Sequence, residues 1–338
     1  MAENFACPMM SLYNRSVMEN HTAMNEFILV GFLVPPQLNT ILFLAFLVMY
    51  VFTVLGNTII ITIYRLDTRL HTPMYFFLSH FSTLEIGYTT VTVPNLLRNQ
   101  LSQDKAISFP CCMAQMYCFF FFGTAEFFFL ALMAFDRYVA ICHPLHYHSI
   151  MDSRCCSKMV LASWIVSSLV PISPTIIISR LPFHGSHRIN HFFCDVGPVI
   201  KLSTGDIFLA DLSVFMVSAL VVLSSFLLIV YSYICIVTTI LRIPSATGRK
   251  KAFSTCASHL IVVTIFFGTV IFMYVRPASL DSADQNKAVS FFYSVVTPMM
   301  NPIIYSLRNK EVKEALRKMI ERMHSARKPA SVIRAVTY

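Results

Sequence analysis

Seven long runs of apolar side chains set the terms on which this chain can fold. They cover approximately residues 38–64, 73–95, 109–142, 156–178, 207–241, 252–276 and 287–307. A helix needs roughly 20 mostly apolar residues to cross about 30 Å of hydrocarbon. Lipid offers no water to backbone N–H and C=O groups, so each run must satisfy them internally, as a helix does. The alternating pattern of a membrane barrel is absent. The first run (Leu38 to Tyr64) and the fifth (Ile207 to Leu241) are the most apolar, whereas the second and seventh carry polar residues that lipid alone would not tolerate. Composition points the same way, with 56% hydrophobic and 13% charged residues among 338. A soluble domain carries roughly 25% charge. The expected fold is an all-α membrane protein, a seven-transmembrane helix bundle.

Three regions follow: a polar tail over 1–37, the bundle over 38–307 and a second tail over 308–338. The first tail lacks a basic start followed by a short apolar core, so the first span is expected to serve as the insertion signal. Basic residues gather in cytoplasmic loops. With the N-terminus placed outside, eighteen of the 26 basic residues fall on the inner side, nine of them between Arg308 and Arg334. The net charge of +9 is thus expected to face anionic lipid, and nucleic acid is not an expected partner. Asn14-Arg15-Ser16 and Asn20-His21-Thr22 fit the glycosylation pattern on the outer tail, and Asn20 is the better candidate. Lys310 to Met323 reads as a short amphipathic helix, with Val312, Leu316, Met319 and Ile320 on one face and Lys313, Arg317 and Lys318 beside them. Such a helix suits a cytoplasmic membrane surface.

Several short motifs sit in order on these helices. Gly56-Asn57 lies in the first, and Leu70-His71-Thr72-Pro73-Met74-Tyr75 enters the second. The third ends with the run from Met133 to Cys142, which contains Asp136-Arg137-Tyr138, and Ser232-Tyr233 lies in the fifth. The sixth opens with Lys251 to Leu260, and the seventh carries Pro298-Met299-Met300-Asn301-Pro302-Ile303-Ile304-Tyr305. Alone, Arg137 could be a cation snorkelling to a membrane edge, and Pro302 a static kink. Together, over about residues 20–322, the motifs resemble the odorant-receptor family of the rhodopsin-like G-protein-coupled receptors.

That resemblance implies a plasma-membrane receptor for small-molecule odorants that activates a stimulatory, olfactory-type heterotrimeric G protein and so raises cAMP. Asp136, Arg137 and Tyr138 would form an inner gate, with Tyr233 and Tyr305 swinging toward Arg137 on activation. Asn301 would be available to satisfy groups freed by Pro302. The resemblance favours Cys112, rather than its neighbour Cys111, as the partner of Cys194 in a disulfide pinning the second outer loop. A further pair of cysteines common in that loop is replaced here by His184 and Thr204, so a single bridge is expected. Glu85 and Glu126 would lie close together near Asn57 and Asn301. Two such carboxylates cannot both ionise without a counter-charge; they either share a proton or hold a cation, sodium being the natural one. No organic cofactor is implied.

The same comparison removes neighbouring receptor classes. A retinal receptor needs a lysine where Val295 stands, and an aminergic one an aspartate where Phe119 stands. The expected ligand pocket comprises Phe119, Phe120, Gly123, Thr124, Val217, Ser218, Val221, Phe267, Val270, Ile271, Tyr274, Phe291 and Ser294. It is apolar with a few hydroxyls and carries no Lys, Arg, Asp or Glu, which suits small, mostly neutral molecules with one oxygen function. Tyr274, Thr124 and Ser294 would supply the hydrogen bond, and Arg276 at the mouth could capture a carboxylate. An alternative for any single phenylalanine is simple bundle packing. No HExxH or GxSxG motif and no pair of membrane aspartates supports an enzyme. A transporter would show inverted repeats or charge-lined broken helices, and neither is visible.

Overall fold

The computed structural model describes residues 26–275, 283–308 and 310–326. Asn14, Asn20 and Arg276 lie outside the described residues, as do the side chains of Ile271 and Tyr274. The architecture is the expected helical bundle. Its spans are α1 (Pro36–Leu66), α2 (Pro73–Leu101), α3 (Phe109–Cys142), the pair α5 (Ser153–Leu169) and α6 (Ile172–Ser179), α8 (Phe208–Leu241) and α9 (Ala246–Val275). The seventh span is α10 (Ala283–Phe291), a π-helical turn over Phe292–Val296 and α11 (Thr297–Arg308). Two short helices, α4 (Tyr147–Ile150) and α7 (Val196–Ile200), lie in loops, and α12 (Lys310–Ala326) follows the bundle.

Local chemistry sets the helix ends. Pro36, Pro73 and Pro110 occupy first-turn positions, where the missing N–H costs nothing. Ser108 Oγ accepts from Cys111 N at 3.4 Å and Asp152 Oδ1 from Cys155 N at 2.7 Å, capping α3 and α5. The fourth span breaks at Val170–Pro171, because an interior proline removes a ladder bond and clashes with the preceding turn.

Lipid contact divides the spans. Four helices, Gln37–Leu66, Phe109–Cys142, Ser153–Ser179 and Phe208–Leu241, are long and apolar enough to cross a membrane alone, and Ala246–Val270 makes a fifth if its two bent pieces count as one. On α8, Phe215, Leu220, Leu223 and Leu227 point outward and remain exposed; lipid is the solvent that suits them. α2 and the seventh span fall below that standard because of Ser79, Ser82, Glu85, Thr89 and Thr92, and of Ser290, Ser294, Thr297 and Asn301. All of these are buried against protein. α3 runs through the centre and buries Phe129, Leu130, Met133 and Ala134.

At the end of the bundle where α3 begins, the structure adds what an all-helical reading does not contain. β1 (Glu26–Leu29) pairs antiparallel with β2 (Ala106–Ser108) and parallel with β3 (Arg188–Ile189), in the order β2-β1-β3. Phe27 and Leu29 alternate inward and are fully buried, and the Phe27 ring lies 5.5 Å from Phe183 and 5.9 Å from Phe109. The tail therefore joins the fold before the first span begins. At the opposite end, α12 lays Val312 and Ala315 against the bundle while Ile320 stays exposed. Tyr75 Oη donates to Glu311 Oε2 at 3.0 Å, and Arg69 pairs with Asp67 at 2.7 Å and Glu314 at 3.4 Å. The Arg69 guanidinium holds the Asp67 carboxyl down at about 2.

Candidate functional site

A cavity of about 170 Å³ lies between α2, α3, α8, α9, the seventh span and the loop after β3. An apolar cavity of that order accommodates a ring the size of benzene. Of the residues expected from sequence, Phe119, Phe120, Gly123, Thr124, Val217, Ser218, Val221 and Val270 line it. Phe267 does not; it packs against Phe127 at 5.5 Å and Phe226 at 5.4 Å, while Phe266 faces the space. Phe291 turns away to Phe46, 5.3 Å off. Ser294 does not line the space either; its hydroxyl is engaged with Ser290 O at 2.6 Å. On that span Tyr293 lines the cavity instead. The π-helical turn over Phe292–Val296 takes more residues per turn than an α-helix, so a plain helical count assigns the wrong face.

The second outer loop, expected to be pinned by a disulfide, lies over the cavity as a lid. Cys112 and Cys194 form the disulfide, with Cα atoms 5.4 Å apart, and Cys111 is free. Beside it, Gln115 ties three segments: Nε2 donates to Val91 O at 2.8 Å, and Oε1 accepts from Cys194 N at 3.0 Å. The Phe193 ring then packs, tilted, 4.5 Å from that of Phe119. Where a second bridge would sit, the loop is joined by hydrogen bonds: Thr204 N donates to Pro182 O at 3.0 Å, and Ser203 Oγ to the same oxygen at 3.2 Å. Among the described residues Cys112–Cys194 is the one disulfide.

The expectation of an uncharged lining needs correction. Asp195, directly after the bridged cysteine, lines the cavity. Its Oδ1 accepts from Val196 N at 2.9 Å, capping α7, and burial pushes its carboxyl up to about 6. Neighbouring His191 is buried beneath Phe192 and Phe193, and burial, aided by the charge of Lys287, holds its ring down at about 3. An acid in a loop carries no helical periodicity, which is why the sequence pattern missed it.

Deeper in the bundle, polar groups gather. Asn301 Nδ2 donates to Glu85 Oε1 instead of serving its own helix at Pro302, as had been expected. Asn57 bonds Thr53 O at 3.0 Å and Pro298 O at 3.4 Å, and makes no bond to either carboxylate. Glu85 Oε2, both Glu126 oxygens and Asn301 Oδ1 are buried without hydrogen-bond partners. Unpaired buried oxygens of this kind are costly, and they are the donor set that a hard cation or a shared proton would satisfy.

At the end opposite the disulfide, Arg137 Nη2 and Nε donate to Asp136 Oδ2 at 2.6 and 3.1 Å. Tyr147 Oη from α4 donates to Asp136 Oδ1 at 2.7 Å, an addition the sequence did not suggest. Tyr233 Oη lies 2.6 Å from His259 Nδ1, and His259 Nε2 lies 3.0 Å from Leu130 O. A carbonyl only accepts, so Nε2 carries the proton and the Tyr233 hydroxyl donates to Nδ1. Tyr305 Oη is buried with no partner, and Tyr138 Oη pairs with His143 at 3.0 Å, away from Arg137. Arg137 is thus clasped to Asp136, while Tyr233 is held by His259.

Comparison with known proteins places this geometry. A family profile described as olfactory receptor matches residues 46–323. The human protein olfactory receptor 11L1 is 48% identical over 90% of this chain and 94% of its own length. Human olfactory receptor 10A7 is 49% identical over 90% of this chain and 96% of its own. The crystal structure of squid rhodopsin shares the fold at a TM-score of 0.69 with 16% identity, covering 88% of this chain and 84% of that one.

Proposed function

Because the chain belongs to the olfactory receptor family, whose members are receptors and not enzymes, we propose that the cavity beneath the Cys112–Cys194 lid binds small, mostly apolar volatile molecules and that their binding releases the Arg137 gate to a stimulatory G protein. One observation carries this reading: a small cavity walled by aromatic and aliphatic side chains lies at the opposite end of α3 from the Asp136–Arg137 clasp. Such a cavity rewards apolar volume and leaves specificity to a few placed polar groups. In a plasma membrane the disulfide end would face the oxidising exterior and the basic loops with α12 the cytoplasm and its anionic lipid. The test is a screen of volatile compounds for cAMP elevation in cells expressing the full chain. A response confined to small apolar compounds supports the reading. A ligand-gated conductance without cAMP would replace it with a channel.

The buried oxygens of Glu85, Glu126 and Asn301 are proposed to hold one sodium ion, which would offset one of the two carboxylate charges. An ion bound there favours the closed arrangement, so replacing choline by sodium should lower basal cAMP and agonist potency severalfold, the usual scale of coupling between sites. Unchanged basal signal and potency across the titration would leave a shared proton as the account of this pair.

A further inference from the structure

We propose that Asp195 is the group by which the cavity selects its ligand, and that it selects small apolar molecules bearing a hydroxyl. The inference rests on the cavity being the ligand site and names the chemistry that site prefers. Asp195 is placed firmly, since the disulfide fixes the residue before it and its own Oδ1 caps α7. The other oxygen, Oδ2, lies 4.0 Å from His191 Nε2, beyond hydrogen-bonding range.

The histidine defines what this gap wants. Phe193 N donates to His191 Nδ1 at 3.4 Å, so in the neutral ring the proton resides on Nε2. That N–H is buried without a partner, and the ring cannot easily turn, being packed 4.7 Å from Phe192 and 4.5 Å from Phe193. Asp195 lines the mostly apolar cavity, and the buried His191, set behind it and not itself part of the lining, holds its unsatisfied donor 4.0 Å from Asp195 Oδ2. An oxygen about 2.8 Å from each would close the triangle, and a hydroxyl both donates and accepts. A carbonyl or ether oxygen has no proton for Asp195 and would face its negative charge. An ammonium satisfies Asp195 and leaves His191 unpaired. A carboxylate adds like charge in a confined site.

The experiment measures binding without any G protein. The full chain in detergent micelles is titrated with n-hexanol, hexanal, methyl pentyl ether and hexylamine, and affinity is read from the rise in unfolding temperature. n-Hexanol should bind more tightly than hexanal or the ether by about tenfold or more, the effect of a hydrogen bond to a charged group. In Asp195→Asn, whose amide can donate to a carbonyl, that preference should fall to near parity. Asp195→Ser keeps the cap on α7 and should lose the preference as well, which separates the carboxylate's role from loop folding. Equal affinity of hexanal and n-hexanol for the wild type, or a preference that survives both variants, overturns the assignment. Silence of all four probes overturns it together with the cavity reading. A loss of cAMP coupling with the hexanol preference intact would instead count against the proposed signalling alone.

Discussion

Cells expressing Arg137→Ala should carry the receptor at their surface and give no cAMP rise to an agonist that activates the wild type. Arg137 makes its two bonds to Asp136 and to nothing else in the gate. The fold therefore loses one ion pair at the rim of the bundle, where the Arg137 side chain retains 13% exposure. Removing one partner of a buried pair ordinarily costs about 3–5 kcal/mol because a charge is stranded. Here Asp136 keeps the Tyr147 hydroxyl at 2.7 Å, which moderates that cost, so surface number falls less than signalling does. On the proposed mechanism, signalling loses the cation that leaves Asp136 as the gate opens. Per receptor at the surface, the response should drop by more than about tenfold, the scale of a lost coupling free energy of 1–3 kcal/mol. A normal response, counted against surface label, would contradict the mechanism.

The second large effect belongs to the lid. Cys112→Ser and Cys194→Ser should each lower stability by about 2–5 kcal/mol, since the bridge closes a separation of 82 residues. Both variants should be retained inside the cell or lose ligand response. Cys111→Ser should behave as wild type, because Cys111 is free and points to a different helix face from its neighbour. Intracellular retention of Cys111→Ser with normal behaviour of Cys112→Ser would reverse the assignment.

What the sequence revealed and what it hid have physical causes. Spans reveal themselves because lipid demands long apolar helices, and the Cys112–Cys194 pairing was what the family resemblance implied. The sheet stayed hidden because its strands are two to four residues long, too short for a period of two to register. Most of the α3 and α8 lining followed from the family resemblance, although Phe127 and Val222 were not among the expected residues. The seventh span was not, because the π-helical turn shifts the face from Phe291 and Ser294 to Tyr293. On α9 a neighbouring residue was chosen, Phe267 for Phe266, and adjacent phenylalanines give periodicity nothing to distinguish them. Asp195, His191 and Tyr147 sit in loops, where position is set by tertiary bonds and the bridge. Motif spacing cannot place such residues.

Occupancy of this cavity is proposed to control the Arg137 gate, and substitution of Gly123 probes that link with the fewest other changes. A Cβ at Gly123 would meet only Tyr88 atoms at 3.9 and 4.0 Å, so a larger side chain there enters the cavity without striking backbone. Leucine also favours helix over glycine by up to about 1 kcal/mol, so the substitution should not hinder folding. The measurement is the cAMP concentration–response of Gly123→Leu beside wild type, per receptor at the surface, with the most potent agonist from the volatile screen. Normal delivery is expected, with potency lowered by about a hundredfold or more, the loss of roughly 3 kcal/mol of binding. An unchanged concentration–response curve in a receptor whose cavity is filled would contradict it.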